Sequence, residues 1–496
     1  MPHAGSRPDK WIALGVAATL AAATLSCRNG ASAAKGPPTT LLRVGLSLGN
    51  VALLNPNQGI RQIGQNITTE GLARPAEDGR MVPQLADRWQ LEDGGQMIEI
   101  DLKAGVKFQD GSLADAAAIA NLLPSAIRSQ FGLVADTIQN VRAVGANRIE
   151  IRYRRPSPLM LETLESPIVK PGPNGSTGPF VASPNSPNEW VANANYHLGR
   201  PAIDAIVAST FPSVRSAWAE LLRNNIDMLY EVGPDALDSL ENATNVAVFT
   251  FTRGYQYVFV FDSRSSALSQ NVRRAINLAI DRSQLVQSAV NGHGVPSWGP
   301  VWPKHWAVAA ADAPTFEYAP KRAAALMNGK KVHLNCLMPA DPLYERVALE
   351  LKRQLAAIGV DIDWHTLPPD EMVTAQRRGA YDAVLTELIS GPTPLRHYIL
   401  WHSKGSIHIE GRGNATVDAA LNRLPDATND DEYRTAVRGV QQAFVDDPPA
   451  AFLNWTQRAR AVSRRFTVPQ PEPGRDILAT LPQWTASNDQ RLASRN

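Results

Sequence analysis

Few side chains in this 496-residue chain stand at spacings that make or break covalent bonds. It contains no His-Glu-x-x-His pair, no Walker phosphate loop, no dinucleotide fingerprint and no Gly-x-Ser-x-Gly elbow, so the common hydrolase, nucleotide and metalloprotease chemistries lack their motifs. A catalytic triad is assembled in space, so an exported hydrolase stays open as the alternative class. Gly175-Ser-Thr-Gly178 has the glycines of a phosphate cradle, but no Lys-Ser/Thr pair and no helical pattern follow, and the stretch reads as a loop. His397, His402 and His408 lie five and six residues apart, on neither one helix face nor one strand face, and no acid or cysteine is interleaved. They read as surface or cleft-lining histidines, and no metal or other cofactor is expected.

Binding chemistry is more legible in Glu387-Leu-Ile-Ser-Gly-Pro-Thr-Pro-Leu-Arg-His-Tyr398 and the following Trp401. Gly391 and two prolines shape a loop whose backbone, with Ser390, is available to a ligand. Arg396 offers a planar fork for a carboxylate, and Tyr398 and Trp401 offer flat apolar faces. The same residues fit a plainer reading, in which the two aromatics are core and Arg396 is a solvated surface charge.

The elements that would hold such residues follow from periodicity. Ile98, Ile100 and Leu102 alternate with Glu99, Asp101 and Lys103, the pattern of a half-buried strand. Ala104-Gly105 turns, Val106 and Phe108 resume the apolar face as a short strand, Asp110-Gly111 turns again, and a helix runs from Ser112 to near Pro124. Arg148 to Tyr153 is another strand, and Ile60, Ile63 and Ile67 share a helical stripe behind the strand Leu41–Leu46. Ala217 to Asn225 is an amphipathic helix, Tyr255–Asp262 is a strand, and Val272, Ala275, Ile276, Ala279 and Ile280 line one helix over 271–282. Strands at 332–337, 360–364 and 381–385 alternate with helices, the first at 344–358 and stopped by Gly359, which implies parallel pairing. Near the end, Tyr433, Val437, Val440 and Phe444 line a helix, Pro448-Pro449 breaks it, and Ala451–Trp455 is a strand.

Residues 1–26 read as a signal peptide, with Arg7 and Lys10 before an apolar run from Trp11 to Leu25. The run ends at Ser26-Cys27, as in bacterial lipoprotein signals, so Cys27 is the expected lipidation site and 27–40 the tether; Ala31-Ser-Ala33 offers a rival cleavage site. What remains is roughly 460 residues, enough for two or three lobes. Two cysteines exclude a disulfide framework, and Cys336 sits in an apolar strand pattern, favouring a buried packing role. A net charge of +2 and the lack of a basic block argue against nucleic acid.

Leu85-Ala-Asp-Arg-Trp89 with Leu102-Lys-Ala-Gly-Val-Lys-Phe-Gln-Asp-Gly111 resembles the signature of the extracellular solute-binding proteins of the peptide/nickel family, which feed ABC importers. Asn271–Arg282 is a second landmark, although Asp262 stands where the family usually has asparagine at the end of the preceding strand. The resemblance implies an α/β fold of the type II periplasmic-binding-protein kind, two lobes with a hinge plus a small extra domain. Lobe I would comprise 41–74, 175–262 and 471–496, the small domain 75–174, and lobe II 263–470. It implies a non-enzymatic, monomeric, lipid-anchored protein of the periplasm or cell envelope that closes on a peptide or similar solute and serves an inner-membrane permease. A sugar, an opine or a metal chelate is the alternative ligand. Peptide-binding relatives carry an aspartate near the Glu387 loop that holds the ligand's ammonium group; that aspartate is missing here. Asn55 and Tyr257 complete the expected ligand-binding set.

Overall fold

Alternating apolar residues place a strand at Met97–Leu102, with Ile98, Ile100 and Leu102 buried. In the computed structural model, which describes residues 40–47, 58–157, 159–308, 314–405, 413–472 and 475–487, this strand is central to a small antiparallel sheet. It pairs with Ala86–Glu92 on one side and Arg148–Tyr153 on the other, and Ile138–Ala143 completes four strands. The leader, the tether, Cys27, Ala31-Ser-Ala33, Asn55 and His408 lie outside the described residues. No described helix is long and apolar enough to cross a membrane.

Two local expectations need correction here. The short strand expected through Val106 and Phe108 is only a single bridge, Lys107 to Leu113, because the Phe108 amide donates to Ser112 O (2.9 Å) and closes a turn. The following helix does not end at Pro124 but runs Ala116–Phe131, capped by the Asp115 carboxylate accepting from the Ala118 amide. A mid-helix proline costs about 3 kcal/mol. Leu123, Ile127 and Phe131, all buried on one stripe, offset it at roughly 1.5–3 kcal/mol each.

The main sheet has eleven strands. Their order is Val360–Leu367, Val332–Pro339, Ala383–Ile389, Val246–Phe261, Ala450–Ser463, Met228–Val232, Leu41–Ser47, Ala205–Phe211, Glu189–Ala192 and Phe180–Ala182, with Gly294–Pro296 paired to Ala450–Ser463. At one end Val332–Pro339 runs parallel to both its neighbours, as the strand–helix alternation requires. At the other end Leu41–Ser47 runs parallel to Ala205–Phe211 and Met228–Val232. The long strands Val246–Phe261 and Ala450–Ser463 are antiparallel and join the two ends. Both outrun the stretches expected as strands, through Phe249-Thr-Phe-Thr252 and Arg458-Ala-Arg-Ala461, which alternate with the period of a strand and pair with each other.

The helix expected over 271–282 is two helices, Gln270–Ala279 and Arg282–Ala289. Asp281 interrupts it by capping the second: its carboxylate accepts from the Gln284 amide at 2.9 Å, and its own amide donates to Gln354 Oε1 at 2.7 Å. Arg282 is then buried, donating to Phe452 O (2.6 Å) and Asn277 Oδ1 (2.9 Å), and burial lowers its pKa to about 9. Cys336 is a free, buried thiol whose pKa burial pushes well up.

The core of the small sheet is continuous with the helices Leu395–Trp401 and Asp430–Asp446. At that junction Glu162 accepts from the Leu395 amide and the Tyr433 hydroxyl, both at 2.9 Å. Burial pushes its carboxyl from an ordinary 4.5 up to about 7. The folded protein thus holds this proton more tightly than the unfolded chain, so the contribution is full below about pH 4.5 and declines as pH rises to about 7. In urea titrations across that window, Glu162→Gln is expected to remove this decline, whereas Glu162 has no such effect if variant and parent lose stability in parallel. The buried His305 and His397, lowered by burial to about 4 and about 3, act in the opposite sense and are common to both proteins.

Candidate functional site

Beside the middle of the long strand Val246–Phe261, segments distant in sequence enclose a cavity of about 800 Å³. Its walls come from the end of the helix Gln58–Thr68, the segment Arg74–Glu77, Tyr196–Leu198, the middle of the long strand at Phe251–Tyr255, Trp302, Pro392, and the tail between Gln470 and Gln483. The strand and the Pro392 loop touch through two glycines. The Ser390 and Gly391 amides both donate to Gly254 O, at 2.8 and 2.9 Å, and a Cβ on Gly254 would stand 2.6 Å from Gly391 O. Only glycine at position 254 permits that approach. Trp302 donates its indole N–H to Glu77 O at 2.8 Å and stands edge-on to Trp455, while the Arg253 guanidinium lies 3.8 Å over the Tyr255 ring.

Most charges around the cavity are matched within the protein. Glu70 is buried, and both its oxygens are occupied: Tyr196 Oη (3.1 Å) donates to Oε1, Thr177 Oγ1 (2.9 Å) donates to Oε2, and His197 Nε2 lies within 3.3 Å of each. Arg74 pairs with Glu472 at 3.1 Å, Asp476 with Arg460 at 2.7 Å, and Glu77 with Lys304. Behind the strand, Arg458 donates to Glu231 (2.9 Å), to Glu387 (3.2 Å) and, at 3.5 Å, to the Tyr257 hydroxyl, and Arg253 also reaches Glu231 at 3.1 Å. Burial by itself would raise Glu231, yet Arg253, Arg458 and Arg460 together hold it below its ordinary value. Arg475 donates to Pro75 O at 3.0 Å; burial and then the neighbouring Arg74 lower its pKa to about 10. Lys103 donates to Gln84 O at 2.6 Å.

Six of the seven ligand-binding residues expected from sequence are described, and the cavity wall includes none of them. Gly391 adjoins Pro392 at its edge, and Ser390 is buried with no partner for its hydroxyl among the described residues. Tyr257 is buried and edge-on to Tyr344, on the opposite face of its strand from Gln256. Arg396 pairs with Glu165 at 2.6 Å and lies over the Phe131 ring. Tyr398 stacks on His402, and Trp401, 2% exposed, packs edge-on against Phe444 and Phe452. His402 also contacts Asn422 Oδ1 at 3.2 Å, and among the described residues no three His, Cys, Asp or Glu side chains are grouped to hold a metal. The residues that do line the cavity and went unread include Glu70, Arg74, Lys103, Arg253, Tyr255 and Arg475. Tyr255 carried a local signal as an aromatic in a recognised strand, and Lys103 as a polar position of the 97–103 alternation and of the 102–111 motif; Arg475 lies in a tail without periodicity.

This architecture has close counterparts. The family model for bacterial extracellular solute-binding proteins, family 5 Middle, matches residues 80–407. The oligopeptide-binding protein AppA of Bacillus subtilis (strain 168) is 21% identical over 475 residues, 85% of this chain and 87% of that protein. Its structure in complex with a nonapeptide aligns with TM-score 0.73 at 19% identity, covering 91% of this chain and 100% of that one. NikZ from Campylobacter jejuni, in complex with Ni(L-His), aligns with TM-score 0.75 at 18% identity over 90% of this chain and 100% of that one. These likenesses establish the type II periplasmic-binding-protein fold. With two thirds of its length matched by the family model, the chain belongs to the bacterial extracellular solute-binding proteins of family 5, the substrate-binding proteins of ABC importers.

Proposed function

We propose that this protein captures a peptide or similar small solute in the cavity described above, closes two lobes over it, and delivers it to an inner-membrane permease without chemical change. The observation that carries this reading is the cavity's position: its walls are drawn from all three proposed divisions, with Asn66–Arg74, Tyr196–Leu198 and Phe251–Tyr255 from the first lobe, Pro75–Glu77 and Lys103 from the small domain, and Trp302 and Pro392 from the second lobe. Its volume of about 800 Å³ lies within the range of roughly 300–1,000 Å³ usual for small-molecule sites. The ladder between the long strands is irregular between Thr252 and Gln256, beside the cavity, and such a break suits a hinge. The proposed lobes follow the division 41–74, 175–262 and 471–496 against 263–470, with 75–174 as the small domain, and the long strands, Val246–Phe261 in the first lobe and Ala450–Ser463 in the second, pair along their boundary. Closure is favoured by ligand contacts made only when both lobes meet. Gly391 and its neighbours are assigned to the lip of the site, with Arg396, Tyr398 and Trp401 supporting that loop from behind. The name of the Bacillus subtilis relative, an oligopeptide-binding protein, supports peptide as the first class to test.

The protein is proposed to act as a monomer outside the cytoplasm, anchored through an acylated Cys27. Cys27→Ala is then expected to leave the protein soluble or uncleaved, since acyl chains supply membrane affinity at roughly 0.8 kcal/mol per buried methylene. Mass spectrometry finding a mature terminus at Ala34 would replace this with ordinary signal cleavage.

A thermal-unfolding screen against peptides, sugars, opines and nickel chelates tests the function. A true ligand at about 100 times its Kd stabilises the fold by about 2.7 kcal/mol and is recovered intact. Absence of stabilisation by any class, or conversion of the solute, defeats the reading.

A further inference from the structure

The charge balance of the cavity narrows what it takes. Its acids are committed: Glu472 to Arg74, Asp476 to Arg460, Glu77 to Lys304, and Glu70 to Tyr196, Thr177 and His197. Glu387, behind the strand, is turned into the pairing with Arg458. Arg253 is matched in turn by Glu231. Two wall cations remain, Arg475 and Lys103; among the described residues neither has a carboxylate within ion-pair distance, and each reaches only a backbone carbonyl, Pro75 O and Gln84 O. A half-buried guanidinium with most of its donors unused, beside a second arginine, is an unsatisfied arrangement that an incoming anion completes. Burial and Arg74 lower the pKa of Arg475 to about 10, outweighing the nearby Glu472 and Asp476, whose own oxygens are held by Arg74 and Arg460. Apolar surface for the rest of the ligand is at hand in Phe251, Tyr255 and Trp302.

We propose that the cavity selects solutes bearing a carboxylate, which Arg475 receives beside Arg74, with Lys103 as a second cation of the same wall for a further acidic or polar group, and that it requires no free amine. This rests on the solute-binding reading above. The carboxylate can belong to a peptide terminus or to another organic acid; the chemistry at Arg475 is shared, and the test separates the sources.

The test is binding, by thermal shift and tryptophan fluorescence on the whole protein, of matched sets: tripeptides as the free acid, the N-acetyl acid and the C-terminal amide, and sugar acids beside their neutral sugars. Binding is expected from acid members only, with N-acetylation tolerated. On the best acid, Arg475→Gln and Lys103→Met are each expected to weaken binding by about tenfold or more, the loss of a hydrogen-bonded charge. Arg475→Lys should recover part of that loss, while the ligand-free melting temperature of each variant reports whether it has folded. An amide or neutral member binding as well as its acid overturns the proposal, as does a strict need for the free amine, or unchanged affinity in both folded variants. Binding of neutral solutes alone overturns it while sparing the solute-binding reading; binding of nothing in either this screen or the broader one overturns both.

Discussion

Trp401→Ala is expected to lower folding stability by about 3–5 kcal/mol, the usual cost of removing a large core aromatic and leaving its cavity. The indole is 2% exposed and meets Phe444 and Phe452 with ring centroids 5.8 and 5.4 Å away. Those rings belong to the helix Asp430–Asp446 and the long strand Ala450–Ser463, so the loss would loosen the seam between the small sheet's core and the main sheet. Urea denaturation checks the stability, and ligand titration on the folded variant checks the site. Affinity should be retained within a few-fold. A variant of parental stability that no longer binds would instead make Trp401 a ligand contact.

Arg458→Met should lower stability by about 3 kcal/mol, because two carboxylates with little access to water lose their shared partner and, among the described residues, Glu231 keeps only Arg253 as an ion-pair partner. Glu231 and Glu387 are 10% and 19% exposed, and Arg458 lies against both. The sign of the pH dependence is fixed by the same pairing. Glu231, held below its ordinary pKa by its arginines despite burial, contributes stability that is present above that ordinary value and is lost as pH falls through the folded one. The deficit of Arg458→Met should therefore be largest near neutrality and narrow on acidification. Adding Glu231→Gln to the variant should recover part of the loss, whereas strictly additive costs would mean that the pair is not coupled. Since Arg458 lies on one long strand and Glu387 on the strand beside the other, the same variant should also alter hinge closure, read as a change in ligand affinity.

Local sequence determined a good deal about this protein. Period-two alternation at 97–102 and 148–153, and strands separated by helices from Val332 onward, encode their elements because burial of one face repeats every second or every third to fourth residue. The residues at 85–111 and 271–282 carried the family. Where several weak effects compete, neighbours in the chain were insufficient. The helix passes through Pro124 because Leu123, Ile127 and Phe131 find a core, and the stripe at 271–282 breaks because Asp281 has Gln354, 73 residues away, to bind its amide. The site was least legible. Arg396 and Trp401 have the right chemistry for a ligand, but whether such a side chain meets a solute or a core is decided by what packs over it, here Glu165 and Phe444. Conversely, Arg475 acquires its place only by crossing 400 residues to the carbonyl of Pro75. Periodicity reports which face of an element is buried; only tertiary packing decides which polar groups are left without partners, and that surplus is what a binding site is made of.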